Sequence, residues 1–242
     1  MPPEKLKPHE WFEPIEPEAQ PTTPAAPTPP SGPSVKVIRL LPLAQQTDPL
    51  ARYINCTSSE DDWGKKRDLS PFYLGPCKLY GGYTSRTMEN AWQYSKVFAE
   101  HVGDDGLPTA DYFEWAEEGW NRPRAERYPM GKGAKAEFHW WNGKKLTKVE
   151  ARKEIYVPLY AEQVTKPTNR TFDGLEKLWL LMRGRNKGTL CLMDFDAYDY
   201  TGMSLTDVLN NPAKSLGHGF VLAMLLLKDP ALKQCPLRTA RR

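Results

Sequence analysis

The rhythm of apolar and polar positions changes several times along this chain. VKVIRLLPL (35–43) groups β-branched and apolar residues and is closed by Pro42, which predicts a strand. Residues 53–82 are short apolar pieces broken by turn residues and predict short strands and loops. In YTSRTMENAWQYSKVF (83–98) the spacing becomes helical. Met88, Ala91, Ser95, Phe98, Ala99 and Val102 define a core face, with Ser85 or Thr87 as the N-cap. Thr109 caps a second helix through DYFEWAEEGW, stopped by NRP. After a glycine- and lysine-punctuated loop and the Trp140–Trp141 pair, TKVE (147–150) is a capping box. It opens a helix to about Val164, bent at Pro158. A polar loop then leads to TLCLMDF (189–195), the clearest strand of the second half. SLTD (204–207) opens a short helix, and SLGHGFVLAMLLLK, apolar nearly all round, predicts a buried one. Gly217 and Gly219 would let another element come close. The expected fold is α+β and helix-dominated: one globular domain with a small sheet of short strands and no internal repeat.

Composition sets the boundaries. Nearly half of the 23 prolines fall in residues 1–34, which read as a disordered or polyproline-II tether. The domain is expected over 35–232, with a basic tail at 233–242. A net charge of +3 neither requires nor excludes nucleic acid. The four cysteines show no ligand spacing and are expected as buried thiols. No secretory h-region follows the N-terminus, and FVLAMLLL (220–227) is too short to span a bilayer, which takes about 20 residues. A soluble, cytoplasmic protein without membrane partners is expected.

Glu89, Gln93 and Lys96 fall at i, i+4 and i+7, opposite the core face of the first long helix. Periodicity favours a solvated stripe; Trp92 beside it is discordant and suggests the wall of a site. DFDAYDYTG (194–202) places three carboxylates after a strand, where they either cap turns or do chemistry. His218, between two glycines, reads as a structural histidine. GKGAK (131–135) lacks the full phosphate-loop pattern, and no hydrolase, zinc-protease or dinucleotide signature is present.

Taken in order, INCTSSEDDWG, DLSPF, CKLYGG, TMENAWQYSKVF, DAYDY and KSLGHGFVLAM resemble the NADAR family, which includes the YbiA-like N-glycosidases. The resemblance covers roughly residues 53–100 and 189–227; residues 103–145 look like an insertion. It implies a hydrolase acting on an N-glycosidic bond of a phosphorylated ribose. Riboflavin-pathway intermediates and ADP-ribosylated guanine are the implied substrates, free or attached to nucleic acid. It also implies Glu89, Lys96 and Asp196 as catalytic residues, with no metal or cofactor needed. Ser70 and Phe72 match the family's early loop, and Leu216–Met224, with Gly217 and His218, its glycine-bearing final helix. Ser70, Phe72, Trp92, Gln93, Gly217 and His218 are expected to contact substrate. The chain departs from the family at Pro71, where asparagine is usual. It departs again at Tyr198-Asp199-Tyr200, where a tryptophan–glycine pair is usual, so the aromatic role is expected to pass to Tyr200, Trp140 or Trp141. Two other classes stay open: a non-catalytic nucleotide- or ADP-ribose-binding module, and an interaction protein working through the proline-rich tail.

Overall fold

A computed structural model describes residues 32–59 and 67–237. Nearly all of the tether and the end of the basic tail lie outside these residues. The described residues form a single α+β domain, and their strands are gathered in three small sheets rather than one.

The first sheet is parallel. β1 (Ser34–Ile38) and β2 (Ala51–Asn55) flank β8 (Thr189–Met193), in register through Val37–Leu192 and Ile54–Leu192. A central parallel strand is covered on both faces, which explains the unbroken apolar run of β8. Residues 53–55 complete β2, and among the described residues from there to 86 the further strands are the two-residue pair β3 (Cys77–Lys78) and β4 (Thr84–Ser85).

α1 runs only from Met88 to Gln93, with Thr87 as N-cap accepting the Asn90 N–H at 3.1 Å. The expected continuation to Val102 does not form. After Ser95 the chain extends into β5 (Lys96–Val97), which pairs with β6 (Phe138–Trp141); β6 pairs in turn with β7 (Lys144–Leu146). The Ser95 carbonyl accepts the Trp140 N–H at 2.7 Å, so pairing with β6 ends the helix. Ala99, expected in the core, is exposed. Between these strands lies α2 (Ala110–Asn121), capped by Thr109 as expected.

Thr147 and Glu150 form the expected capping box at the start of α3 (Lys148–Ala151). The helix passes through a π turn (Arg152–Tyr156) into α4 (Val157–Val164). Pro158 has no N–H and would crowd the carbonyl four residues back, and the π turn widens the helix at that point. Where a polar loop is expected, residues 170–184 instead form α5 (Arg170–Gly184), with the Asn169 side chain accepting the Phe172 N–H at 3.0 Å. Phe172, Leu175, Trp179 and Met182 bury one stripe of it.

α6 (Leu205–Asn210) has the expected capping box, and α7 (His218–Leu227) is the expected buried helix, packed on β1, β8 and α4. A 3-10 turn at Pro230–Gln234 follows, and Ala231 and Cys235 are buried, so packing continues past residue 232. All four cysteines are buried, with none in a disulfide. Among the described residues no helix is long and apolar enough to cross a membrane.

Candidate active site

One cavity of about 560 Å³ is lined by residues from nearly every part of the domain. Glu89, Trp92 and Gln93 of α1 and Lys96 of β5 contribute to it, as do Ser70, Pro71 and Phe72 of the loop before α1. That loop is fixed to α1 by backbone bonds: Glu89 N–H to the Pro71 carbonyl at 2.9 Å and Met88 N–H to the Leu74 carbonyl at 2.7 Å. Asp194, Asp196, His218 and Leu216 come from the end of β8 and the start of α7.

The stripe that periodicity assigns to solvent is buried. Glu89 and Gln93 are each 6% exposed. The Gln93 amide bridges two charged groups: its Nε2 donates to Glu89 Oε1 at 2.7 Å, and its Oε1 accepts from Lys96 Nζ at 2.5 Å. Because α1 ends at Gln93, Lys96 arrives from a strand and not from the next helical turn. Burial pushes the Glu89 carboxyl above its ordinary 4.5, opposed by the Gln93 hydrogen bond and by Lys96, Arg127 and His218. Burial lowers the Lys96 ammonium from 10.5 to about 8, with Glu89 and Asp196 opposing the shift. Tyr156, on the π turn, has its hydroxyl pushed well up by burial and then by Glu89, Asp194 and Asp196. One phenol thus feels carboxylates from both halves of the chain.

Asp196 is held by Arg127, from the loop after α2. Arg127 Nη2 donates to both of its carboxylate oxygens, at 3.3 and 3.2 Å. Asn90, fully buried on α1, fixes the loop that carries Arg127. Its Nδ2 donates to the Arg122 and Arg124 carbonyls, and its Oδ1 accepts the Glu126 N–H at 2.8 Å. Asp194 plays a different part. It accepts the Asp196 N–H at 3.0 Å and the Gly219 N–H at 2.7 Å, and lies 3.3 Å from His218 Nδ1. His218 Nε2 is 2.6 Å from the Cys56 carbonyl, so both ring nitrogens are engaged and the histidine ties α7 to β2 and β8.

His139 on β6 faces Ser95, with Nδ1 2.9 Å from Oγ. The Ser95 hydroxyl proton goes to the Trp92 carbonyl at 2.8 Å, so the imidazole donates from Nδ1 and keeps Nε2 as an acceptor. Burial, and then Lys96, Arg152 and Lys148, lower its pKa to about 3, which makes it neutral.

Several expected substrate contacts are corrected. Trp141 packs edge-on against Tyr80, and Trp140 against Phe113; neither lines the cavity. Tyr200 is turned into the β1 edge, where its hydroxyl accepts the Val37 N–H at 3.1 Å, and its ring meets Phe220. Gly217 does not line the cavity either. A Cβ there would lie 2.4 Å from Asp194 Oδ2, so the glycine admits that carboxylate. Trp92 lines the cavity, but His139 already stacks on its ring, with centroids 4.4 Å apart. The aromatic surfaces most open to a ligand are instead Phe195 and Tyr128, 49% and 48% exposed.

Sequence reasoning brings Glu89, Lys96, Asp196, Ser70, Phe72, Trp92, Gln93 and His218 to this cavity, and it misses Arg127, His139, Lys148, Arg152 and Tyr156. Lys148, Arg152 and Tyr156 recur every four residues beyond the Thr147 cap, a polar stripe visible in the sequence. Among the described residues no cluster of three or more His, Cys, Asp or Glu side chains is suited to a metal ion. Comparisons of the chain with protein-family models, curated proteins and solved structures return no match.

Proposed function

We propose that this protein is a hydrolase that cleaves the N-glycosidic bond of a phosphorylated ribose or an ADP-ribose derivative. The observation that carries the reading is the shared cavity of Glu89, Lys96 and Asp196. Within it one carboxyl is raised by burial and separated from its nearest cation by an amide. Two carboxyl groups in unlike surroundings suit an acid and a base.

Glu89, in its protonated form, donates to the leaving nitrogen as the bond from C1′ to the base breaks. The base departs with the bonding electron pair and that proton, and positive charge builds on the sugar. Water then attacks C1′ and gives its proton to the Asp196 carboxylate, which Arg127 orients. Lys96, reached through Gln93, stabilises the Glu89 carboxylate left after transfer. The volume suits a nucleotide-sized ligand, and Phe195 and Tyr128 offer faces for a planar base.

Hydrolysis of aminopyrimidine ribose phosphates and of ADP-ribosylated guanine by wild type, Glu89→Gln and Asp196→Asn tests the reading. Turnover by wild type and at least hundredfold loss in the Glu89 variant are expected. Binding of these compounds without turnover by wild type would replace the hydrolase with a non-catalytic nucleotide-binding module.

A further inference from the structure

The cations of the cavity differ in how their charge is answered. Arg127 meets Asp196, and Lys96 reaches Glu89 through Gln93. Arg152 and Lys148 meet no carboxylate within ion-pair distance among the described residues. Arg152 is nevertheless almost wholly buried. Its Nη1 donates to the Leu209 and Asn211 carbonyls, at 3.3 and 2.6 Å, and its Nη2 to the Lys214 carbonyl. Those bonds use three of the five guanidinium hydrogens. The Nε–H and one Nη2–H carry no hydrogen bond among the described residues. Lys148, four positions earlier, donates to the Pro212 carbonyl at 3.0 Å.

Carbonyls satisfy donors without neutralising charge. A buried guanidinium and a neighbouring ammonium therefore share this end of the cavity with Lys96, around the neutral ring of His139. Glu89 and Asp196 act on Lys96, but neither Lys148 nor Arg152 has a carboxylate within ion-pair distance among the described residues, and an unanswered buried charge is costly until a counter-ion arrives.

We propose that Lys148 and Arg152 form a subsite for a phosphoryl group bearing two negative charges, from a sugar phosphate or a nucleotide pyrophosphate. The open guanidinium hydrogens give the group a directed contact and Lys148 gives it a point charge. The α6–α7 loop, held by both side chains, is the subsite's outer support. The proposal rests on the hydrolase reading for the identity of the substrate, but binding is measurable without turnover.

Calorimetric titration of the full chain with ribose 5-phosphate, ADP-ribose and ribose tests it. A phosphorylated probe should bind at least tenfold more tightly than ribose, and the tighter of the two identifies monoester or pyrophosphate. Lys148→Gln should lose roughly tenfold in affinity for that probe and none for ribose. Equal affinity of wild type for all three probes overturns the subsite. So does unchanged phosphate-probe affinity in Lys148→Gln melting at the wild-type temperature. Phosphate binding that depends on Lys148, in a protein that hydrolyses nothing, keeps the subsite and removes the hydrolase reading. Unimpaired hydrolysis and binding by Lys148→Gln do the reverse.

Discussion

Asp194 and Glu89 are both carboxyl groups almost completely withdrawn from water, at 1% and 6% exposure, and they line the same cavity. Their surroundings differ in kind. Asp194 accepts two backbone N–H groups and lies against His218, so its negative charge is answered by groups that cannot move away. Glu89 accepts from one side-chain amide, and its nearest cation stands beyond that amide. Burial with rigid partners makes a structural post; burial with few partners leaves a group whose protonation is open to change.

Replacing Asp194 is the largest expected break. Asp194→Ala leaves the buried Gly219 N–H, the partly buried Asp196 N–H and a histidine without their acceptor, and should lower unfolding free energy by about 3–5 kcal/mol. Denaturant titration checks this; a loss below about 1 kcal/mol would remove the structural assignment. Glu89→Gln should leave the fold intact and change its pH dependence. The folded-state value of Glu89 is raised above the ordinary 4.5. The stability it contributes is therefore complete below pH 4.5 and is lost as pH rises through the folded value. Relative to Glu89→Gln, wild type should melt progressively lower as pH rises above 4.5. A constant gap in melting temperature across that range would contradict the assignment.

Lys96 sharpens the same contrast from the basic side. Its acylation, followed by peptide mass spectrometry, should titrate with a midpoint near pH 8. Gln93→Leu removes the amide that keeps ammonium and carboxylate apart, and should move that midpoint upward; an unmoved midpoint denies Gln93 this role. The smallest effect belongs to the mouth of the cavity. Arg127 and Asp196 have side chains 38% and 39% exposed, so Arg127→Gln should cost less than about 1 kcal/mol in stability. Its consequence should appear instead in hydrolysis, through a loosened Asp196. Full activity in that variant would leave Arg127 as a surface charge.

The local part of this fold was legible. Thr87, Thr109, Thr147 and Ser204 cap helices as their sequence neighbourhoods announce, and the all-apolar α7 is buried as its composition requires. α5 was hidden because the exposed Leu180 and Leu181 add apolar positions outside the buried face and Gly174 interrupts it, which blurs the stripe from Phe172 to Met182. The end of α1 was not legible at all. Ser95, Phe98 and Val102 keep helical spacing, and only a partner strand about 40 residues away turns that segment into β5. The site divides along the same line. Glu89 and Lys96 share a cavity, as the resemblance implied, but the helical step that linked them does not exist. Arg127 and His139 lie between the two stretches that carry the resemblance, and no local pattern ties either to Glu89.

The π turn between α3 and α4 has a geometric consequence for the cavity. Each residue of an α-helix advances the direction of its side chain by about 100°. Were the extra residue of the π turn wound into regular α-helix, everything before it would swing by that angle relative to the apolar face of α4. Lys148 and Arg152 would then point elsewhere, or α4 would show the wrong side to α7. The wide turn works as a phase adjuster: it lets one continuous rod be timed to the core at one end and to the cavity at the other.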